Sequence, residues 1–94
     1  MPDDRIVYRV HAIQRMFQRQ VTEEDVREII RAGEVIESYP NDSPYPSELR
    51  LGWAGARPLH VVVARNEAVG EVIVITVYVP DSALWEAGYR RRKR

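Results

Sequence analysis

The stretch RPLHVVVARNEAVGEVIVITVYVP, residues 57–80, decides the fold. Two runs rich in valine and isoleucine, PLHVVVA and EVIVITVYV, are joined by RNEAVG, and Pro80 ends the second run. β-Branched side chains pack well on a pleated surface, so both runs read as strands. Upstream, ELRLGWA (48–54) alternates Leu49, Leu51 and Trp53 against Glu48, Arg50 and Gly52, the pattern of a strand with one buried face. AGAR turns it into the next strand. EVIESY (34–39) reads as a fourth strand, and PNDSPYPS (40–47), with its three prolines, as a loop.

Two helices precede these strands. Over residues 9–19, Val10, Ile13, Met16 and Phe17 gather on one side of a helical wheel, and His11, Arg15, Gln18 and Arg19 on the other. Thr22 suits the N-cap of a second helix, with Glu23, Glu24 and Asp25 at its positive end. Val21 and Val26 are spaced as a hydrophobic staple; Val26, Ile29 and Ile30 give the buried face, and Gly33 a left-handed stop. After Pro80, Asp81 or Ser82 can cap a short helical turn through Trp85 that Gly88 closes. Strands joined by short turns run antiparallel. The expected fold is therefore α+β: two N-terminal helices packed on one face of a four-stranded antiparallel meander.

A chain of 94 residues makes one domain, expected over residues 1–89. There is no cysteine, which excludes disulfides and thiolate metal sites and points to the cytoplasm. The opening MPDDRIVYRV is acidic and does not read as a signal peptide. Val72–Val79 is too short an apolar run to span a membrane. The net charge of zero conceals an asymmetry. Residues 90–94, RRRKR, hold five of the fourteen basic residues, which leaves nine against fourteen acidic ones in the body. Such a basic run reads as a disordered tail suited to polyanions or partners.

If both hairpins are symmetric about their turns, Arg50, His60, Val62, Val74, Thr76 and Tyr78 share one face of the sheet. Leu49, Leu51, Trp53, Leu59, Val61, Val63, Ile73, Ile75 and Val77 share the other, which should carry the helices. A one-residue bulge would invert part of this sorting. On the mixed face, an unperturbed histidine titrates at about 6.5, close to what a general acid or base needs, which makes His60 a candidate, and Arg50 suits phosphate. RNA supplies its own 2′-OH nucleophile, so a base, an acid and cations suffice to cleave it. Equally, a histidine between Leu59 and Val61 is an ordinary half-buried strand residue, and the spacing of His11, Arg15 and Arg19 is that of a solvated helix face. No metal-ligand pattern, Gly-rich phosphate loop or nucleophile elbow is present, and no cofactor is expected.

The ordered segments HAIQRMFQRQVTEEDVREIIRAGEVIESYP, RPLHVVVARNE and EVIVITVYVPDSALW resemble a small prokaryotic family, domain of unknown function 4258. Its pattern is H-x3-R-x3-R-G-[IV]-[ST], then G-x-[VI]-[IV]-E-x-Y, an H-[VI]-V strand and an I-x-T-x-Y-x-P strand. Gln20 stands where the family has glycine ending the first helix. The resemblance implies a RelE-like or barnase-like layout and metal-independent RNA cleavage. It also implies a toxin partnered by a small zinc-finger or DNA-binding antitoxin. The matching polar positions are His11, Arg15, Arg19, Tyr39, His60, Thr76 and Tyr78. His11, His60 and Tyr78 would then be catalytic, while Arg15, Arg19, Thr76 and, from strand geometry, Arg50 would hold phosphate, with RRRKR adding affinity for RNA. The alternative is a non-catalytic module that binds a protein partner through an edge strand or the Pro-rich loop; the acidic body favours it. A homodimer through the sheet, anchored by Trp53 or Trp85, is a third reading.

Overall fold

The computed structural model describes residues 5–94; residues 1–4, the acidic start of the expected domain, lie outside them. In chain order the elements are β1 (Arg5–Tyr8), α1 (Val10–Arg19), α2 (Glu23–Ala32), β2 (Glu34–Tyr39), β3 (Ser47–Ala54), β4 (Arg57–Asn66) and β5 (Glu71–Tyr78). They form one five-stranded sheet in the order β1-β5-β4-β3-β2. The successive pairs from β2 to β5 are antiparallel, as their short connections require. β1 runs parallel to β5, with Arg5 opposite Glu71 and Tyr8 opposite Val74.

The fold is thus a small α+β fold, but the expected layout needs correction. A helix pair followed by a four-stranded antiparallel meander, the RelE-like or barnase-like arrangement, gives way to a mixed sheet whose first strand precedes the helices. The physical reason is that both helices separate β1 from the rest of the sheet. No tight turn dictates its direction, and it adds to the free edge of β5. Ile6 and Tyr8 pack against the core from this edge.

Register decides which side chains share a face. The β3–β4 hairpin turns on Gly55 and Ala56, with Ala54 opposite Arg57 and Gly55 at φ 65°, the positive φ that a two-residue hairpin turn demands of its first residue. Leu51 therefore faces His60, and Arg50 faces Val61. This hairpin is one residue off the symmetric pairing expected of it, and one residue moves a whole strand to the other face. A register shift between Val62 and Val63 then aligns His60 with Tyr78 and Val63 with Val74. The helix-bearing face is Leu59, Val61, Val63, Val72, Val74 and Val77, closed by Ala12, Met16, Val21, Val26 and Ile29. Leu49, Leu51, His60 and Ile73 occupy the other face.

Thr22 caps α2 as expected: its Oγ1 accepts from the Asp25 backbone at 3.1 Å, and the Asp25 carboxylate accepts from the Thr22 backbone at 3.1 Å. Gly33 is extended at φ −71°, not left-handed. Its glycine is required by close approach, since a Cβ there would lie 2.5 Å from the Ile29 carbonyl oxygen and 2.9 Å from that of Leu51. The left-handed stop belongs to α1 instead, where Gln20 sits at φ 56°, ψ 46°. Any L side chain is disfavoured there, and Gly is not. Gln20→Gly is therefore expected to raise unfolding stability by about 0.5–1 kcal/mol, read from the urea midpoint at unchanged slope.

The second face of the sheet is covered by residues 80–94. Asp81 opens a single turn, accepting from the Ala83 backbone through its side chain and from Leu84 and Trp85 through its carbonyl. The chain then folds back: Glu86 N–H donates to the Arg91 carbonyl and Lys93 N–H to that of Leu84, both at 2.8 Å. Trp85 is buried against the sheet. Arg90 pairs with Glu34 at 2.7 Å and Arg92 with Glu37 at 3.1 Å, so the basic run meets the acidic strand β2. Among the described residues, no helix is long and apolar enough to cross a membrane.

Candidate functional site

His60 is fully buried and sits at the centre of a polar cluster. Its Nε2 lies 2.9 Å from the Tyr89 carbonyl oxygen and its Nδ1 3.1 Å from the Tyr78 hydroxyl. A carbonyl only accepts, so Nε2 carries the proton and Nδ1 accepts from Tyr78. The imidazole meets Trp85 edge-on at a centroid distance of 4.4 Å and Tyr78 at 5.2 Å. Burial pushes its pKa below the ordinary value; the Tyr89 carbonyl and the Glu37 charge oppose this, and the Arg92 charge adds to it. Burial likewise raises Tyr78. Beside them, Tyr39 donates to Glu37, and Arg92 pairs with Glu37 while lying 4.7 Å over the Trp85 ring. Burial raises the Glu37 carboxyl, but hydrogen bonds from Arg92 and Tyr39 and the nearby positive charge outweigh it and leave the pKa lowered.

This cluster does not assemble the expected phosphate-handling cleft. His60, Tyr78 and Thr76 share one face of the sheet. His11, Arg15 and Arg19 are exposed on α1, which packs on the other face, so the sheet lies between the two groups. Arg50 is on the helix side. Its guanidinium donates to the Ile30 carbonyl at 2.8 Å and pairs with Glu48 at 3.3 Å, which ties down the C-terminal end of α2. A general acid or base must reach its substrate; both His60 ring nitrogens are engaged and its surface is covered by Trp85 and the residues around Tyr89. Among the described residues, no group of three or more His, Cys, Asp or Glu is placed to hold a metal.

Three exposed apolar side chains stand together on α1. Only Ala12 and Met16 of this helix are buried. Val10, Ile13 and Phe17, expected in the core, are 71%, 53% and 87% exposed. They lie within about 60° of one another on the wheel, forming an apolar stripe beside the buried line. Across Gln14 and Gln18 from it stand His11 and Arg15. α1 carries Arg15 and Arg19 and no acidic residue. Among the described residues, no ion pair involves Arg9, Arg15 or Arg19. Ala12 was the overlooked signal: a small side chain facing the sheet lets the helix approach closely and leaves larger neighbours at the flank.

The model of one family, described as Domain of unknown function (DUF4258), matches residues 8–79. The chain belongs to this family. No curated protein and no solved structure matches it. The DUF4258 match takes in α1 with its exposed stripe, and also His60 and Tyr78. It ends at Val79, so Trp85, Tyr89 and Arg92, which complete the His60 cluster, lie beyond it. Sequence reading missed Glu37, Trp85, Tyr89 and Arg92 as members of that cluster. Arg92 and Glu37 are 55 residues apart, and no local pattern links them.

Proposed function

We propose that this DUF4258 protein is a non-catalytic interaction module that docks a protein partner on the exposed face of α1. The observation that carries the reading is the Val10, Ile13 and Phe17 stripe, with Phe17 at 87% exposure on a well-formed helix. Single exposed apolar residues are ordinary, but three aligned on one helix suit helix-in-groove or helix-on-helix recognition. The ribonuclease reading loses support from the separation of His11, Arg15 and Arg19 from His60, and from the engagement of both His60 nitrogens.

Phe17→Asp tests the proposal. Because the side chain stands in solvent, the substitution is expected to change stability by no more than about 0.5 kcal/mol, while a stoichiometric partner co-purified with the wild-type chain is lost. RNA incubated with the purified protein and excess chelator is expected to stay intact. Chelator-resistant cleavage that disappears in a folded His11→Ala variant would sink the module reading in favour of an enzyme.

A further inference from the structure

We infer that the sheet face beneath residues 81–94 is a self-recognition surface, and that this segment exchanges between two copies of the chain. The inference stands apart from docking on α1. The segment is built as a detachable unit. Within it Trp85 is buried and Tyr89 half-buried, while the rest is exposed. Its backbone hydrogen bonds close on the segment itself. Trp85 N–H donates to the Asp81 carbonyl at 3.0 Å and Tyr89 N–H to that of Glu86 at 2.9 Å, and Trp85 pairs with Arg92 in an antiparallel bridge. Gly88 and Tyr89, at φ 88° and 61°, turn the chain back. The segment joins the sheet at Pro80, just past the end of β5 at Tyr78, and proline has no N–H to carry the ladder further.

What holds the segment to the body lies on one surface. The Tyr89 carbonyl accepts from His60 Nε2 at 2.9 Å, Trp85 meets His60 edge-on, and the Tyr89 ring meets Trp53 edge-on at 6.1 Å. Arg90 and Arg92, both exposed, pair with Glu34 and Glu37 on the edge strand β2. Such a segment opens at a smaller cost than unfolding the domain. The observed fit selects the occupant. The sequence that matches this face is one that every further copy carries, and its arginines answer the carboxylates of β2. Reciprocal exchange makes each contact twice in a closed two-fold dimer and needs no new surface. In the single chain the tether holds the segment at an effective concentration on the order of millimolar, so the wild-type chain is expected to exchange only near that concentration.

The test reverses charges in two full-length variants. One carries Arg90→Glu with Arg92→Glu, the other Glu34→Arg with Glu37→Arg, so in each the segment is repelled by its own body. Each exposed pair contributes little alone, but exchange between the two variants restores both ion pairs in each of two interfaces. Sedimentation of an equimolar mixture is expected to show a one-to-one heterodimer at least about tenfold tighter than the dimer of either variant alone, a difference of about 1.4 kcal/mol. Phe17→Asp in both chains should leave it unchanged. Amide spectra establish that each variant is folded. A mixture of folded variants that stays monomeric would overturn exchange. So would a heterodimer lost with Phe17→Asp, which would place the contact on α1 and favour the docking reading instead. Should a reversed variant not fold, the wild-type chain near millimolar concentration decides. An isotope-filtered NMR contact between Trp85 of one copy and His60 of another supports exchange. A chain that stays monomeric at several times that concentration, or a dimer without this contact, overturns it.

Discussion

His60→Ala is expected to cost about 3–4 kcal/mol of folding stability and to free the C-terminal segment for proteolysis. The substitution empties a fully buried position and removes the edge-on contact with Trp85. It also strips a hydrogen-bond partner from the Tyr78 hydroxyl and from the Tyr89 carbonyl. The cost combines cavity, lost contact and unsatisfied polar groups. Without the imidazole, Arg90–Glu34 and Arg92–Glu37 are the ion pairs left to tie this segment to β2, and exposed ion pairs contribute little. Urea denaturation gives the stability change, and trypsin cleavage after Arg90, Arg91 and Arg92 reports the segment. A loss under about 1 kcal/mol with an intact segment would show that His60 does not organise this face.

The same residue sets a pH dependence. Burial lowers the folded-state pKa of His60 below its unfolded value of about 6.5. Above that value both states are neutral and the stabilisation is complete. As pH falls below it, the unfolded chain takes up a proton that the folded chain refuses, so stability declines until the lowered folded pKa is reached. Glu37, whose folded pKa is also lowered, contributes in a separate window: its stabilisation is lost as pH falls through its own lowered value, beneath the carboxylate range. His60→Gln should therefore flatten the fall of the unfolding midpoint that begins below about pH 6.5 and leave the acid limb in place.

Local signals made much of the fold legible. The Thr22 cap, the Val21–Val26 staple, the alternation of residues 48–54 and the β-branched runs of residues 57–79 name their elements without reference to anything distant. Three features depend on distant contacts. β1 is four residues long and its partner begins at Glu71. The faces depend on a turn position that shifts by a single residue. The RRRKR run resembles any solvated basic tail until Glu34 and Glu37 are brought beside it. Of the candidate site, the shared face of His60 and Tyr78 was readable from strand parity, but a symmetric hairpin sets His60 opposite Thr76, and the register shift between Val62 and Val63 sets it opposite Tyr78 instead. Placing Arg50 with them failed, because β3 is offset by one residue. α1 misled for another reason: its wheel has an apolar sector wider than the face it buries, and only the packed structure tells core from flank.

Gly52→Val is expected to cost about 3 kcal/mol and to loosen α2 as a unit. Gly52 is buried in the middle of β3, on the helix side, opposite Leu59. Its missing side chain is the space that Ile29 fills: a Cβ there would lie 3.0 Å from Ile29 Cδ1 and nearer still to Cγ1. Ile29 is β-branched and stiff at χ1, so it cannot swing clear without moving the helix. Displacement then spreads along α2. Gly33 is equally tight against the Ile29 and Leu51 carbonyls, and Arg50 reaches the Ile30 carbonyl only while the helix end stays close to the sheet. The Arg50 guanidinium, paired with Glu48, would lose that hydrogen bond as well. Ile29→Ala alone removes buried methyl groups and should cost about 2–4 kcal/mol. If the two side chains compete for one space, the double variant loses clearly less than the sum of the singles, because the shorter alanine on α2 leaves room for the valine introduced on β3. Strict additivity in a double-mutant denaturation cycle would place the cost of Gly52→Val somewhere other than the α2 contact.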